Sequence, residues 1–168
     1  MSNLASSHKR INGQIWSTSN LDVSTFRNGD PIHEAKTDEE WVEAGDNKQP
    51  AWCWTSNDPK ERKKYGKLYN HYAVADPRGL APQGWRIPTG DELEALIVDD
   101  QLTDEINLPM AGNRYYVDGS LRHVGSSGRY WSSSVDGTSA WGLYFSSSSA
   151  DMFSDLRARG VSVRCLKD

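Results

Sequence analysis

An α+β domain is what this sequence predicts: two short helices packed on a small, twisted, mostly antiparallel sheet, joined by long ordered loops. Three observations predict it. Thr37-Asp38-Glu39-Glu40 and Thr89-Gly90-Asp91-Glu92 each have the pattern of a capping box, with a side-chain acceptor at the N-cap and a carboxylate three residues on. From Gly128 the apolar positions alternate with polar ones, which is the period of a strand. The composition holds seven tryptophans and seven tyrosines against three phenylalanines. Trp and Tyr join bulk to a polar handle, so they suit shallow cores and interfaces in a loop-rich domain.

Along the chain, Ile11, Ile15 and Trp16 flank Asn12-Gly13, a two-residue hairpin signal. Phe26 precedes a second turn at Asn28-Gly29-Asp30-Pro31. The first helix follows Thr37 and is expected to end at Gly45. Trp52, Cys53 and Trp54 alternate between Pro50 and Pro59, which predicts a strand with one buried face. Leu68, Tyr72 and Ala75 share a helical face, and Pro77 with Gly79 stops that run. Gly84 to Pro88 reads as extended chain, since a residue before proline avoids the α region. The second helix follows Thr89 and carries Leu93, Leu96 and Ile97 at helical spacing. Leu108-Pro109-Met110 opens a long irregular region. Beyond it, Trp141, Leu143 and Phe145 form one apolar row, and Val161, Val163 and Cys165 another. Two strands joined by a serine-rich hairpin region fit this pattern. Residues 1–10 read as a tail and 11–168 as one domain.

The bulk numbers exclude several functions. The 168 residues are enough to bury a core without staples, and a net charge of −4 leaves no basic footprint for nucleic acid. No apolar run reaches membrane-spanning length, so no membrane insertion is expected. The N-terminal stretch lacks the apolar core of a signal peptide, so the chain as written reads as cytoplasmic at synthesis. Cys53 and Cys165 are expected to be reduced, small and buried.

Chemistry-bearing patterns are absent from the sequence. His8, His33, His71 and His123 are scattered without ligand spacing, so no metal is expected. Asp99-Asp100 with Asp104-Glu105 has no calcium-loop spacing, and a solvated helix end is the better reading. There is no phosphate-cradling glycine loop and no nucleophile elbow. The expectation is no cofactor and no catalysis.

The stretch from Gly128 to Asp168 is the informative one. Serine-rich tracts are often flexible surface loops. Here Trp141, Tyr144, Phe145, Met152 and Phe153 interleave with the serines, and linkers rarely carry them. Tyr, Ser, Gly, Asp and Arg on a rigid support are the palette of a binding surface: aromatic area plus adaptable hydrogen bonding. The fixed frame is expected to be Trp131, Leu143, Phe145, Val161, Val163 and Cys165. The displayed, ligand-contacting set is expected to be Asp136, Thr138, Ser139, Gly142, Tyr144, Ser146, Ser148, Asp151, Phe153, Asp155, Leu156, Arg157 and Arg159. Tyr144 and Phe153 are the candidate anchors.

Ile11–Trp16 (INGQIW), Phe26–Ile32 (FRNGDPI), Pro50–Trp54 (PAWCW), Tyr65–Leu93, Gly128–Ser134 (GRYWSSS) and Gly160–Asp168 (GVSVRCLKD) together resemble the Fibrobacter succinogenes major paralogous domain family. The resemblance implies a C-type-lectin-like fold, related to the formylglycine-generating, sulfatase-modifying enzymes. Gly84–Leu96 is similar to the second-helix signature of that larger group. Many members are variable proteins of diversity-generating retroelements, which rewrite adenines at the 3′ end of a gene. Substitution in asparagine-type codons then yields Ser, Asp, Gly, Thr, Tyr, Phe, Leu or Arg, much the set found between residues 130 and 160. Two departures matter. Ala81 stands where members often have a Cys, so the bridge from there to Cys165 is not available. The paired catalytic cysteines of the sulfatase-modifying group are not matched either, with only Cys165 in that region.

The expected function is therefore non-enzymatic binding of a protein or glycan receptor on a cell surface. The variable C-terminal region would supply the contacts, and the chain would reach a virion or cell surface through a partner. The alternatives are a bacterial surface adhesin or polysaccharide-binding module, an enzyme related to the sulfatase-modifying group, and a structural module that buries the displayed set in a homo-oligomer.

Overall fold

In the computed structural model, which describes residues 8–168, the chain begins as a hairpin. Strands β1 (His8–Ile11) and β2 (Gln14–Ser17) pair antiparallel across Asn12-Gly13. Both turn residues have positive φ, 51° and 79°, the mirror-image turn that Asn-Gly favours because it matches strand twist. The ladder runs out to His8, so β1 takes in part of the segment expected to be a tail; residues 1–7 lie outside the described ones.

β3 (His33–Glu34) is followed by α1 (Asp38–Asp46), β4 (Ala51–Cys53), α2 (Pro59–Tyr65), β5 (Leu68–Tyr69) and α3 (His71–Val74). Then come β6 (Trp85–Arg86), α4 (Gly90–Glu94), β7 (Ile97–Val98), β8 (Gln101–Leu102), β9 (Asn113–Arg114) and β10 (Leu121–Arg122). β11 (Ser127–Asp136), β12 (Ser139–Ser146), β13 (Ala150–Leu156) and β14 (Leu166–Lys167) complete the chain. The architecture is α+β with several small sheets.

Both capping boxes start helices. At α1, Thr37 Oγ1 accepts the Glu40 N–H at 3.1 Å, and the Glu40 carboxylate accepts the Lys36 N–H at 2.6 Å. At α4 the reciprocal box is complete, and Arg86 binds the same Glu92 carboxylate through both terminal nitrogens at 2.6 Å. The described residues hold four helices, not the expected two. α2 opens with Asp58 as N-cap and Pro59 in the first turn, so that proline starts a helix and does not close a segment. The run from Leu68 to Ala75 is only one turn of helix, because Leu68 and Tyr69 pair with Cys53 and Trp52 as strand. Gly45 lies within α1 and does not end it. A Cβ there would stand 2.9 Å from the Ala158 Cβ, so the glycine permits close approach of the C-terminal segment.

β4 is the middle strand between β3, parallel, and β5, antiparallel. It is buried on both faces, not on one as expected. Trp52 enters the core around Leu21, Tyr69 and Trp131, while Ala51 and Cys53 pack with Trp41, Tyr65 and Leu68. Cys53 and Cys165 are free, buried and in different clusters.

The last strand ties the two ends of the chain together. β14 lies between β2 and β6, in a sheet ordered β1-β2-β14-β6. The approach to it, Val161 to Cys165, is not the regular strand expected. Val161 bridges Tyr69 and Ser162 bridges Tyr130, so this segment threads between two sheets and is covered on both sides. Ser162 and Arg164, which alternate with the apolar row of Val161, Val163 and Cys165, are themselves 0% and 2% exposed. The partner of β12 is instead β13, which takes in the Asp151 to Leu156 stretch.

Candidate functional site

β11, β12 and β13 form an antiparallel meander, with a register shift between Trp131 and Val135. Residues directly opposite across an antiparallel pair point to the same side, so the register assigns every side chain to a face. Tyr130 opposes Leu143, which opposes Met152, and Phe145 opposes Ala150. That face packs on Ile11, Trp16, Leu93 and Leu96, which join the first hairpin and α4 to the meander. On the other face, one row is Arg129, Tyr144, Asp151 and the next is Trp131, Gly142, Phe153. Asp155 follows opposite Ala140.

The displayed set is thus split among three places. Tyr144, Asp151, Phe153 and Asp155 share the outer face, and Arg159 folds back onto it through the Asp155 carboxylate, at 2.5 Å, and Asn113 Oδ1, at 2.6 Å. Asp136, Thr138, Ser139, Leu156 and Arg157 gather at the β11–β12 end, where Arg157 Nη2 donates to Gly137 O at 2.8 Å. Ser146 and Ser148 bond to one another in the turn at the opposite end of β12. Gly142 is buried, because the Phe153 ring covers it. Trp141 shares the inward parity of Leu143 yet is 38% exposed. Its Cβ passes the start of α4 at Gly90, beyond the edge of the packed cluster.

Arg129 organises the outer face. Its guanidinium lies 5.3 Å from the Tyr144 ring centre and 5.0 Å from that of Phe153. Its Nη1 is 3.9 Å from the Asp155 carboxylate that Arg159 holds more closely. Burial, then the charge of Arg159, lowers the Arg129 pKa from its ordinary value. Arg159 in turn stacks on Tyr115 and Tyr116, at 5.0 and 5.4 Å. A cavity of about 380 Å³ opens beside Arg129, lined also by His123, Ser126, Ser127, Tyr144, Asp151, Met152 and Phe153.

Arg129, Asn113, Tyr115 and Tyr116 are absent from the set expected from sequence. Alternation places Arg129 opposite in parity to Tyr130, which is the signal that could have found it. Its row with Tyr144 and Asp151 depends on register, and the contribution of residues 113–116 depends on the return of Arg159.

Both cysteines and His71 lie in the core. Burial pushes the Cys53 thiol up to about 11 and the Cys165 thiol up to about 12, so both stay protonated. His71 is fully buried, and burial lowers it to about 4. Its Nε2 donates to Ser132 O at 2.9 Å, which favours the charged ring, but burial outweighs that bond and the ring is neutral inside the core. Among the described residues, no group of three or more His, Cys, Asp or Glu could hold a metal ion. No helix among them is long and apolar enough to cross a membrane.

Two family models match the chain: the Fibrobacter succinogenes major domain over residues 10–106, and a domain of unknown function over residues 98–166. The first ends just after β8 and the second contains the whole meander. No curated protein and no solved structure matches.

Proposed function

Because this chain belongs to the Fibrobacter succinogenes major domain family, we propose that it is a non-enzymatic receptor-binding protein of C-type-lectin-like fold. In this reading its C-terminal meander is the surface that a diversity-generating retroelement rewrites. The protein is phage- or prophage-encoded and is carried to a virion or cell surface by a partner. The ligand is a protein or glycan on a cell surface.

One observation carries the reading: one face of the meander is packed along Tyr130, Leu143 and Phe145, while the other is packed at Trp131 and Ala140 and open along Tyr144, Asp151 and Asp155. Tyr130, Leu143 and Phe145 are 0–2% exposed and anchor the sheet to α4 and the first hairpin. Tyr144, Asp151 and Asp155 project from the same strands on the other side. Side chains there can change without loss of the anchor, since alternate residues of a strand do not share contacts. The buried, protonated state of both thiols favours binding over sulfatase-modifying chemistry.

The test is the gene and its neighbourhood in independent isolates. Under this reading a reverse transcriptase lies beside a near-copy of the 3′ end. Substitutions fall at adenines, in the codons of residues such as Tyr144, Asp151 and Asp155, and spare those of Trp131, Leu143 and Phe145. Substitutions spread evenly over both faces would refute the variable-surface reading. A bacterial adhesin is the second reading, and the half-buried aromatic and arginine cluster suits it equally; a chromosomal gene without that near-copy would favour it. A homo-oligomer that buries this face would instead show a dimer or larger in sedimentation, lost on substituting Tyr144.

A further inference from the structure

Two polar atoms just beneath the surface of one cavity, in residues that line it, have no hydrogen-bond partner among the described residues. They are Ser127 Oγ and Arg129 Nε, both buried. Ser127 is 5% exposed, and both residues line the cavity of about 380 Å³ on the outer face of the meander. Buried donors are normally satisfied, and the exceptions call for a reason. The charge balance here points the same way. Asp155 is shared by two arginines, and it closes on Arg159 at 2.5 Å while Arg129 stands 3.9 Å off. Arg129 therefore lines the cavity without a close carboxylate partner, and Tyr144 and Phe153 flank its guanidinium.

The opposite rim is an acceptor. The Asp151 side chain is exposed and takes only its neighbour's amide, the Met152 N–H, at 2.8 Å. A ligand that fits must bring acceptors to Arg129 and Ser127 and a donor to Asp151. The size is near the lower end of ligand sites, roughly 300–1,000 Å³, which suits one small ring more than a folded peptide. We infer that this cavity is a subsite for the carboxylate of an acidic sugar, with the guanidinium of Arg129 on the carboxylate and Asp151 accepting from a ring hydroxyl. An acidic peptide side chain offers the carboxylate without an adjacent hydroxyl for Asp151 to accept from. This inference rests on the reading of the meander face as a binding surface and names the chemistry it takes.

The experiment is a calorimetric or NMR titration of the full chain with glucuronic acid, glucose, a glucuronate-terminated oligosaccharide and a glutamate-containing peptide. Glucuronic acid is expected to bind, with glucose weaker by roughly tenfold or more, as the loss of one charge-assisted contact implies. Arg129→Gln should remove that preference. Ser127→Ala, which deletes a hydroxyl that has no partner, should weaken glucuronate binding while leaving the melting temperature unchanged. Similar affinity for the free acid and the oligosaccharide would place recognition in the single unit; binding of the oligosaccharide alone would overturn the single-unit cavity. Equal binding of glucose and glucuronic acid, binding of the peptide alone, binding indifferent to both variants, or no binding of either acidic sugar each overturns the inference. A failed titration alongside adenine-confined variation in the gene would remove the subsite and leave the receptor-binding reading intact.

Discussion

The ring of Phe153 lies directly over the Cα of Gly142. The two residues oppose each other across β12 and β13, and a Cβ on Gly142 would stand 2.6 Å from ring atoms Cε1 and Cζ and from Tyr130 O. The ring could rotate away, but the carbonyl belongs to the β11–β12 ladder and cannot. Gly142→Ala is therefore an overpacking change, expected to cost about 1–3 kcal/mol. A thermal melt should show a midpoint lower by several degrees. An unchanged midpoint would mean that the strand shifts freely, and that Gly142 is open to variation after all.

Tyr144 and Phe153, paired as anchors on sequence grounds, separate in the structure. Tyr144 is half-buried and touches Arg129, while Phe153 packs on the core with its ring 5.6 Å from that of Trp131. Tyr144→Ala should move stability by no more than about 0.5 kcal/mol, as for an ordinary surface position. Phe153→Ala should cost roughly 2 kcal/mol from lost burial. Urea unfolding of both variants checks this. Equal losses would place the two rings in the same environment, against the geometry.

His71 makes stability depend on pH. Its pKa falls from 6.5 to about 4 because burial disfavours the charged ring. Between those values the unfolded chain takes up a proton and the folded one does not. Stability is thus fully present above the unfolded value and falls as pH drops through this window, by roughly 3 kcal/mol in all. Glu92 acts lower down. Arg86 is the main cause of its fall from 4.5 to about 2, and the stability it contributes is lost as pH drops through that range. Urea midpoints at pH 7 and pH 5 should differ in the parent chain and converge in His71→Gln, while Glu92→Gln should lower both midpoints and differ least from the parent below about pH 2, where the carboxylate is protonated anyway.

Arg164 is buried with no carboxylate among its partners. Its Nη2 donates to Asn20 Oδ1 at 2.9 Å and Asn107 O at 3.1 Å, and Nη1 donates to Ser17 O at 3.0 Å. These bonds join the first hairpin, the middle loop and the last segment at one point. Arg164→Ala would take this donor from the Ser17 and Asn107 carbonyls, while Asn20 Oδ1 keeps the Tyr130 hydroxyl, and would cost about 1–3 kcal/mol for each buried acceptor left unpaired. Arg164→Lys should recover only part of this, since a lysine cannot reproduce the fork. Denaturation midpoints of the two variants test the order.

Local signals were the readable ones. Asn12-Gly13, the Thr37 and Thr89 caps and the alternation through Leu143 and Phe145 each encode geometry over a few residues, and each appears in the structure. α2 was hidden because Pro59 reads equally as a stop and as a first-turn residue; only the Asp58 cap decides between them. The fate of Ser162 and Arg164 was hidden because alternation assumes one wet face, and this segment has neighbours on both.

By itself the sequence determined that the chain is an α+β domain of this family, with a rigid aromatic frame and a polar, aromatic-studded C-terminal stretch. Only the tertiary structure decided which of those residues meet. Strand pairing sets Arg129 beside Tyr144 and Asp151, drops Gly142 beneath Phe153, and sends Ser139 and Leu156 to the other face. The return of Arg159 then adds Asn113, Tyr115 and Tyr116 to the same surface. The reason is physical: periodicity assigns a side chain to one side of its own strand, but register between strands is set by the turn, the bulge and the packed core together.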